Sequence, residues 1–151
     1  MQIQTAVFGE ISISEADVIH FPEGLPAFEE EKEFILIPLD EESPFFYLQS
    51  AQTPDVCLLT ADPFIFFPSF QVELPEEILE QLEIDKEKPP LIVLTVLTVP
   101  EDFKKASANL MAPLIINIEK KIGLQFIPVK TDYKTKHPLF SQEKTVAGEG
   151  K

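Results

Sequence analysis

The sequence predicts a mainly β protein, an antiparallel barrel-like or sandwich fold with one short peripheral helix. Two observations point there. Apolar residues recur with period two or in short runs, and turn-forming residues separate the runs. Only one stretch has convincing helical spacing. Roughly ten short strands beside one helix imply a sheet packed on a sheet or closed on itself.

Ile3, Thr5 and Val7 alternate with Gln2, Gln4 and Ala6; Gly9 interrupts, and Ile11 and Ile13 resume the pattern. This reads as a hairpin or a bent strand. Residues 18–21 form a short apolar run closed by Pro22-Glu-Gly-Leu-Pro26, a stiff turn in which two prolines fix φ and Gly24 frees it. Residues 34–39, 45–50 and 56–61 are further apolar runs. Asp40-Glu-Glu-Ser-Pro44 and Gln52-Thr-Pro-Asp55 separate them with turn chemistry, so the three read as an antiparallel meander.

The helix is expected over 75–82. Pro75 suits the first helical position, Glu76 and Glu77 favour the positive end of the dipole, and Ile78, Leu79 and Leu82 share a face. It should end before Pro89-Pro90. Residues 91–99 are apolar on both faces, as a central strand would be. Leu114, Ile116 and Ile118 alternate with Ile115, Asn117 and Glu119; residues 120–123 then turn into 124–127, a second hairpin. Residues 102–106 carry no clear pattern, and periodicity is lost after Tyr133. We read 1–132 as a single β-rich domain and 133–151 as a C-terminal tail, partly ordered at most.

Charge narrows the function classes. The chain of 151 residues carries 26 Asp and Glu against 12 Lys and no Arg, a net charge of −14. The imbalance is concentrated: residues 1–87 hold 20 carboxylates and only Lys32 and Lys86, a net of −18. Nucleic-acid readers neutralise phosphate with cationic side chains and read guanine edges with Arg. An acidic chain without that fork is a poor binder of DNA, RNA or an anionic membrane, and suits a basic protein partner. The alternative is that acidity serves solubility alone. The one cysteine, Cys57, sits in an apolar run, so no disulfide framework exists and a reducing compartment is expected. Met1-Gln-Ile-Gln-Thr5 lacks the charged and apolar regions of a signal peptide, and a cytoplasmic location is the expectation.

Chemistry is thin. His20 and His137 have no His or Cys neighbour at metal-ligand spacing, which favours ordinary structural or surface roles. No charged neighbour lowers the pKa of Cys57, which reads as an inert core thiol. The five glycines build no phosphate loop, and no GxSxG element exists. Carboxylates are abundant, but 29–31, 40–42 and 76–77 fall in turns or at the helix start, where solvated charges live. We therefore expect no enzyme, no metal and no cofactor.

The unusual element is aromatic. Six phenylalanines lie between Ser43 and Phe70, and Pro63 and Pro68 bracket Phe64, Phe66 and Phe67. Strands tolerate proline only at edges and ends, so 62–70 reads as a rim or edge element. Alternation buries one side at most, exposing either Phe66 or the Phe64/Phe67 side, unless another part of the fold covers it. Exposed rings beside acidic loops suit a protein–protein hot spot, and core packing is the competing fate for each.

Four segments together resemble the flagellar assembly factor FliW family. They are His20-Phe-Pro-Glu-Gly-Leu-Pro-Ala-Phe28, Ser43-Pro-Phe-Phe-Tyr-Leu-Gln-Ser50, Asp62-Pro-Phe-Ile-Phe-Phe-Pro68 and Ala108-Asn-Leu-Met-Ala-Pro-Leu-Ile-Ile-Asn117. The resemblance covers most of residues 1–128 and implies a β-rich, barrel-like fold with a non-catalytic role. It implies binding to newly made flagellin in the cytoplasm. It also implies binding, in competition, to the translational repressor CsrA, a small basic RNA-binding dimer, so that repression of flagellin translation is relieved. The candidate partner-binding residues are Glu41, Glu42, Phe45, Phe64, Phe67, Asn109 and Asn117. Asn109 and Asn117 read equally as structural turn residues, and Asn117, on the less apolar side of its strand, is expected to face outward. The alternative reading is an acidic β-barrel that binds a small ligand, because closed barrels often enclose one. A polar-lined interior cavity favours that alternative; a side-chain-filled interior opposes it.

Overall fold

The computed structural model describes residues 2–25, 28–40, 42–84, 91–128 and 131–140. In chain order the strands are β1 (Gln2–Thr5), β2 (Gly9–Ser12), β3 (Ile19–His20), β4 (Glu33–Pro38), β5 (Phe45–Ser50), β6 (Cys57–Ala61), β7 (Leu91–Thr98), β8 (Ser107–Ala108), β9 (Leu114–Asn117), β10 (Ile122–Gln125) and β11 (His137–Pro138). Helices α1 (Pro63–Phe66) and α2 (Glu76–Gln81) fall between β6 and β7.

A seven-stranded closed barrel forms the centre, in the order β7-β6-β5-β4-β3-β10-β9 and back to β7. All its pairings are antiparallel except β3 with β10, which meet in parallel at the single pair His20 and Ile122. The expected meander of β4, β5 and β6 is present, as is the hairpin of β9 and β10. β1 and β2 make a separate hairpin.

Strand periodicity explains the interior. Phe34, Leu36, Phe46, Leu48, Leu58, Ile92, Leu94, Val96, Leu114 and Ile116 project inward from their strands into one cluster with Ile19, Phe21 and Leu25. Cross-strand partners match: Phe34 faces Ile19, Leu36 faces Leu48, and Leu94 faces Leu114. The barrel is therefore filled by its own side chains. Full burial of each large apolar group contributes about 1.5–3 kcal/mol. Gly123 lies where the ring of Phe21 crosses β10; a Cβ there would meet Phe21 Cζ at 2.7 Å.

The outer face is covered in three places, which is why so many strands are apolar on both sides. The β1–β2 hairpin brings Ile3 and Ile11 onto Ile35 and Ile37 of β4. The chain from Phe66 to Val72, with Ala106, Leu110 and Leu139, covers Leu59, Val93 and Leu97. Leu82, Ile78, Leu74 and Ile84 of the α2 segment cover Leu91, Ile115, Leu124 and Phe126. β7 is central, as its two apolar faces predict: it pairs with β6, β8 and β9.

Three local expectations change. Pro75 is the N-cap of α2, one residue outside the helix, with Ile78 and Leu79 half-buried and Leu82 buried. The 62–70 segment contains a second helix: Asp62 accepts from Phe64 N–H at 2.9 Å and Pro63 occupies the first turn, so one helical turn replaces any alternating edge. The β9–β10 turn is shorter than expected, because Lys121 takes φ of 58° and β10 starts at Ile122. Beyond residue 132, β11 pairs with β8, Leu139 is buried and Phe140 packs beside it. Pro89, Pro90 and residues 141–151 lie outside the described residues.

Candidate functional site

The phenylalanines collect on one flank of the barrel. Phe45 projects outward from the start of β5, with its ring centroid 5.4 Å from Phe66 of α1 and 6.0 Å from Phe103. Phe140 closes the circuit, 6.0 Å from Phe66 and 5.4 Å from Phe103. A second chain of rings starts at Phe64 and runs through Phe70 and Tyr133 to His137, which packs 6.0 Å from Phe67. α1 joins the two sets. Its start is tied to the β4–β5 turn by the Asp62 N–H bond to the Pro44 carbonyl, 2.9 Å.

Most of these rings are covered, as core packing demands, but the edges of the set reach solvent. Phe64 is 45% exposed, Ile65 61% and Phe103 44%. Phe45 and Phe67 are half-buried, so alternation fails: Phe64 and Phe67 do not share one exposed side. Glu42 is exposed at the tip of the β4–β5 turn and donates its N–H to Asp40 Oδ1 at 3.3 Å. Glu41 lies outside the described residues. Glu42 and Phe45 thus share the β4–β5 turn, Phe103 with exposed Glu101 and Asp102 packs on Phe45, and Phe64 packs instead on Phe70. Apolar edges set among charges of both signs, Glu101 and Asp102 with Lys104 and Lys105 around Phe103, form a surface suited to a protein partner with an apolar centre and a charged margin.

The two asparagines serve the fold. Asn109 Oδ1 accepts from the N–H groups of Met111 and Ala112, both at 3.1 Å, closing the turn between β8 and β9. Asn117 is 2% exposed although it faces outward from its strand. Its side chain does leave the outer face of the barrel, but that face is covered by the α2 segment. Nδ2 donates to the Leu82 carbonyl at 2.8 Å, and Oδ1 accepts from Glu119 and Lys120 N–H at 3.0 Å. Such a group offers a partner nothing.

Several contributors escaped the sequence reading. Phe103 sits on a short 3₁₀ turn capped by Asp102, whose carboxylate accepts from Lys104 N–H at 3.0 Å. A three-residue turn has no periodicity to detect. Tyr133 and Phe140 come from the segment read as tail, and their hydroxyl and ring contacts are long-range: Tyr133 Oη accepts from Gln71 N–H at 3.1 Å.

The titratable groups give little chemistry. Burial pushes the Cys57 thiol up, away from the reactive thiolate. Burial, and then the charge of Lys134, hold the His137 pKa below its ordinary value. This agrees with its geometry, because His137 Nε2 accepts from Lys134 N–H at 2.7 Å and must be unprotonated to do so. Among the described residues no three His, Cys, Asp or Glu groups converge to hold a metal ion. No helix among them is long and apolar enough to cross a membrane. A groove of about 1200 Å³ lies on the outside of the barrel, between β10 and residues 70–78. The filled interior opposes the small-ligand reading of the barrel.

The profile of the FliW protein family matches residues 2–139. The flagellar assembly factor FliW of Syntrophomonas wolfei is 49% identical over 140 residues, which span 93% of this chain and 89% of that protein. That of Geobacillus sp. strain WCH70 is 44% identical over 143 residues, 95% and 98% of the two chains. A crystal structure of the flagellar assembly factor FliW shares the fold with a TM-score of 0.86 at 42% identity, covering 93% of this chain and 97% of that one. With sequence, fold and coverage in agreement over nearly its whole length, this chain belongs to the FliW family.

Proposed function

We propose that this protein is a non-catalytic cytoplasmic regulator of flagellin production that binds flagellin and, in competition with it, the translational repressor CsrA. The observation that carries the reading is the exposure of Phe64 and Ile65 on α1, and of Phe103 beside Glu101 and Asp102, on a member of a family of flagellar assembly factors. Its mechanism requires only binding. A body of net charge −14 attracts a basic repressor and, once docked, repels RNA phosphate from the adjacent surface. Flagellin that accumulates occupies the protein and returns the repressor to its messenger RNA. Half-buried rings such as Phe45 hold α1 in place, and the exposed ones make the contact.

The test is a double substitution, Phe64→Ser with Ile65→Ser, titrated against purified flagellin and purified CsrA. Loss of central apolar contacts should weaken at least one partner by about 2 kcal/mol or more, roughly thirtyfold. Unchanged affinity for both, with the fold intact by circular dichroism, contradicts the placement of the surface.

A further inference from the structure

The barrel has one incomplete seam. β3 and β10 meet only at His20 and Ile122, where His20 N–H donates to the Lys121 carbonyl at 2.8 Å. The chain then reaches Pro22, which has no N–H with which to extend a parallel ladder. Among the described residues no strand lies beside the flank of β10 from Gly123 to Gln125. Its other flank is taken by β9, and the ladder continues with Phe126 N–H on the Pro113 carbonyl at 2.8 Å. Backbone groups alternate sides along an antiparallel strand, so those of Gly123 and Gln125 point toward the seam; the parallel pair of His20 and Ile122 takes the Gly123 N–H, which leaves the Gly123 carbonyl and the N–H and carbonyl of Gln125.

This flank opens on the groove of about 1200 Å³. The wall opposite, residues 71–73, also lies in no strand. Phe70, Leu124 and Phe126 contribute apolar surface. Glu23, Glu29, Glu73, Glu77 and Asp132 also line it, all exposed, and no lysine is among its described lining residues. The volume exceeds the range of about 300–1,000 Å³ typical of small-ligand pockets. An unpaired strand edge is also a template for another chain, and this one carries none of the lysines that often guard such edges.

We propose that this groove binds an extended, lysine- or arginine-bearing peptide segment of a partner protein, which adds to β10 as a further strand. The main-chain bonds come from the open flank of β10 and the selectivity from the five carboxylates on the walls. This site adjoins the aromatic flank through Phe70 and Tyr133, but its test uses neither flagellin nor CsrA, so it stands or falls apart from the function proposed above.

The probe is a capped, labelled peptide of about eight residues alternating lysine and valine, titrated into the full chain by fluorescence anisotropy near 0.15 M salt. A second peptide of equal charge is N-methylated at alternate residues, so that it cannot pair. Saturable binding of the first peptide is expected. It should fall about tenfold or more with the second peptide, and equally with Glu73→Lys combined with Asp132→Lys. Glu23→Lys with Glu29→Lys, on the other wall, supplies an independent reading should the first pair disturb folding. Equal binding of both peptides would reduce the site to charge adhesion and overturn the proposal, as would insensitivity to both charge reversals or no saturable binding. Binding seen only after removal of residues 141–151 would make the chain's own tail the occupant. Self-association abolished by the same reversals would make it a second copy. Either result also overturns the proposal.

Discussion

Asn117 sits beneath the end of α2 with its amide oxygen and nitrogen both engaged: one secures the β9–β10 turn, the other the carbonyl of Leu82. Truncation would strand a buried acceptor and two turn donors together. Asn117→Ala should therefore lower the unfolding free energy by about 2–3 kcal/mol, well beyond the roughly 0.5 kcal/mol of an ordinary surface substitution. Urea denaturation measures it, and Asn117→Asp should fail to restore stability because a carboxylate oxygen would face the Leu82 carbonyl. A loss of less than 0.5 kcal/mol, on the order of surface noise, would show the side chain to be dispensable. The direction of Asn117 was legible from alternation along β9. Its burial was not, since periodicity reports which side of a strand a residue leaves by and says nothing of what covers that side. The same limit applies to Phe45 and Phe67, whose covering rings come from Phe103 and His137 respectively.

At the scale of elements, α2 ends in a tight left-handed turn. Glu83 adopts φ of 56°, its N–H bonds to the Glu80 carbonyl at 3.0 Å, and Ile84 N–H reaches back to Leu79 at 2.9 Å. This is the helix-ending arrangement in which glycine is usual, and a side chain there carries a penalty of about 1–2 kcal/mol. Glycine loses about 0.5–1 kcal/mol through its freer unfolded chain. Glu83→Gly should thus leave the fold unchanged and stabilise it by about 0.5–1 kcal/mol, read as a higher denaturation midpoint. A destabilised variant would mean that Glu83 makes a contact worth more than the strain. Turn and strand positions were readable where local chemistry dictates them, as in the meander and both hairpins. The helical turn at 63–66 had its signal too: Asp62 followed by proline is an N-cap with a suitable first residue, but two prolines close together also describe a strand edge.

At the scale of the whole molecule, the charge of −14 should act through the rate of encounter. Association with CsrA is expected to slow as salt rises, because the screening length shrinks from about 10 Å at 0.1 M to about 3 Å at 1 M. Dissociation should change less, since apolar contacts hold the docked pair. Stopped-flow kinetics over that range decide it, and a salt-independent association rate would leave the acidity as a solubility device. The antiparallel β architecture and the acidity were both legible in sequence, being properties of pattern and count, whereas pattern left closure into a barrel and a sandwich equally open. The groove beside β10 was not, because it depends on where a ladder stops between strands about a hundred residues apart in the chain.

Competition tests the functional account most directly. With CsrA held on a biosensor surface, the protein should bind and then be drawn off by added flagellin in proportion to its concentration, with no ternary complex formed. Failure to bind CsrA at all, or simultaneous retention of flagellin and CsrA on the same surface, would contradict it.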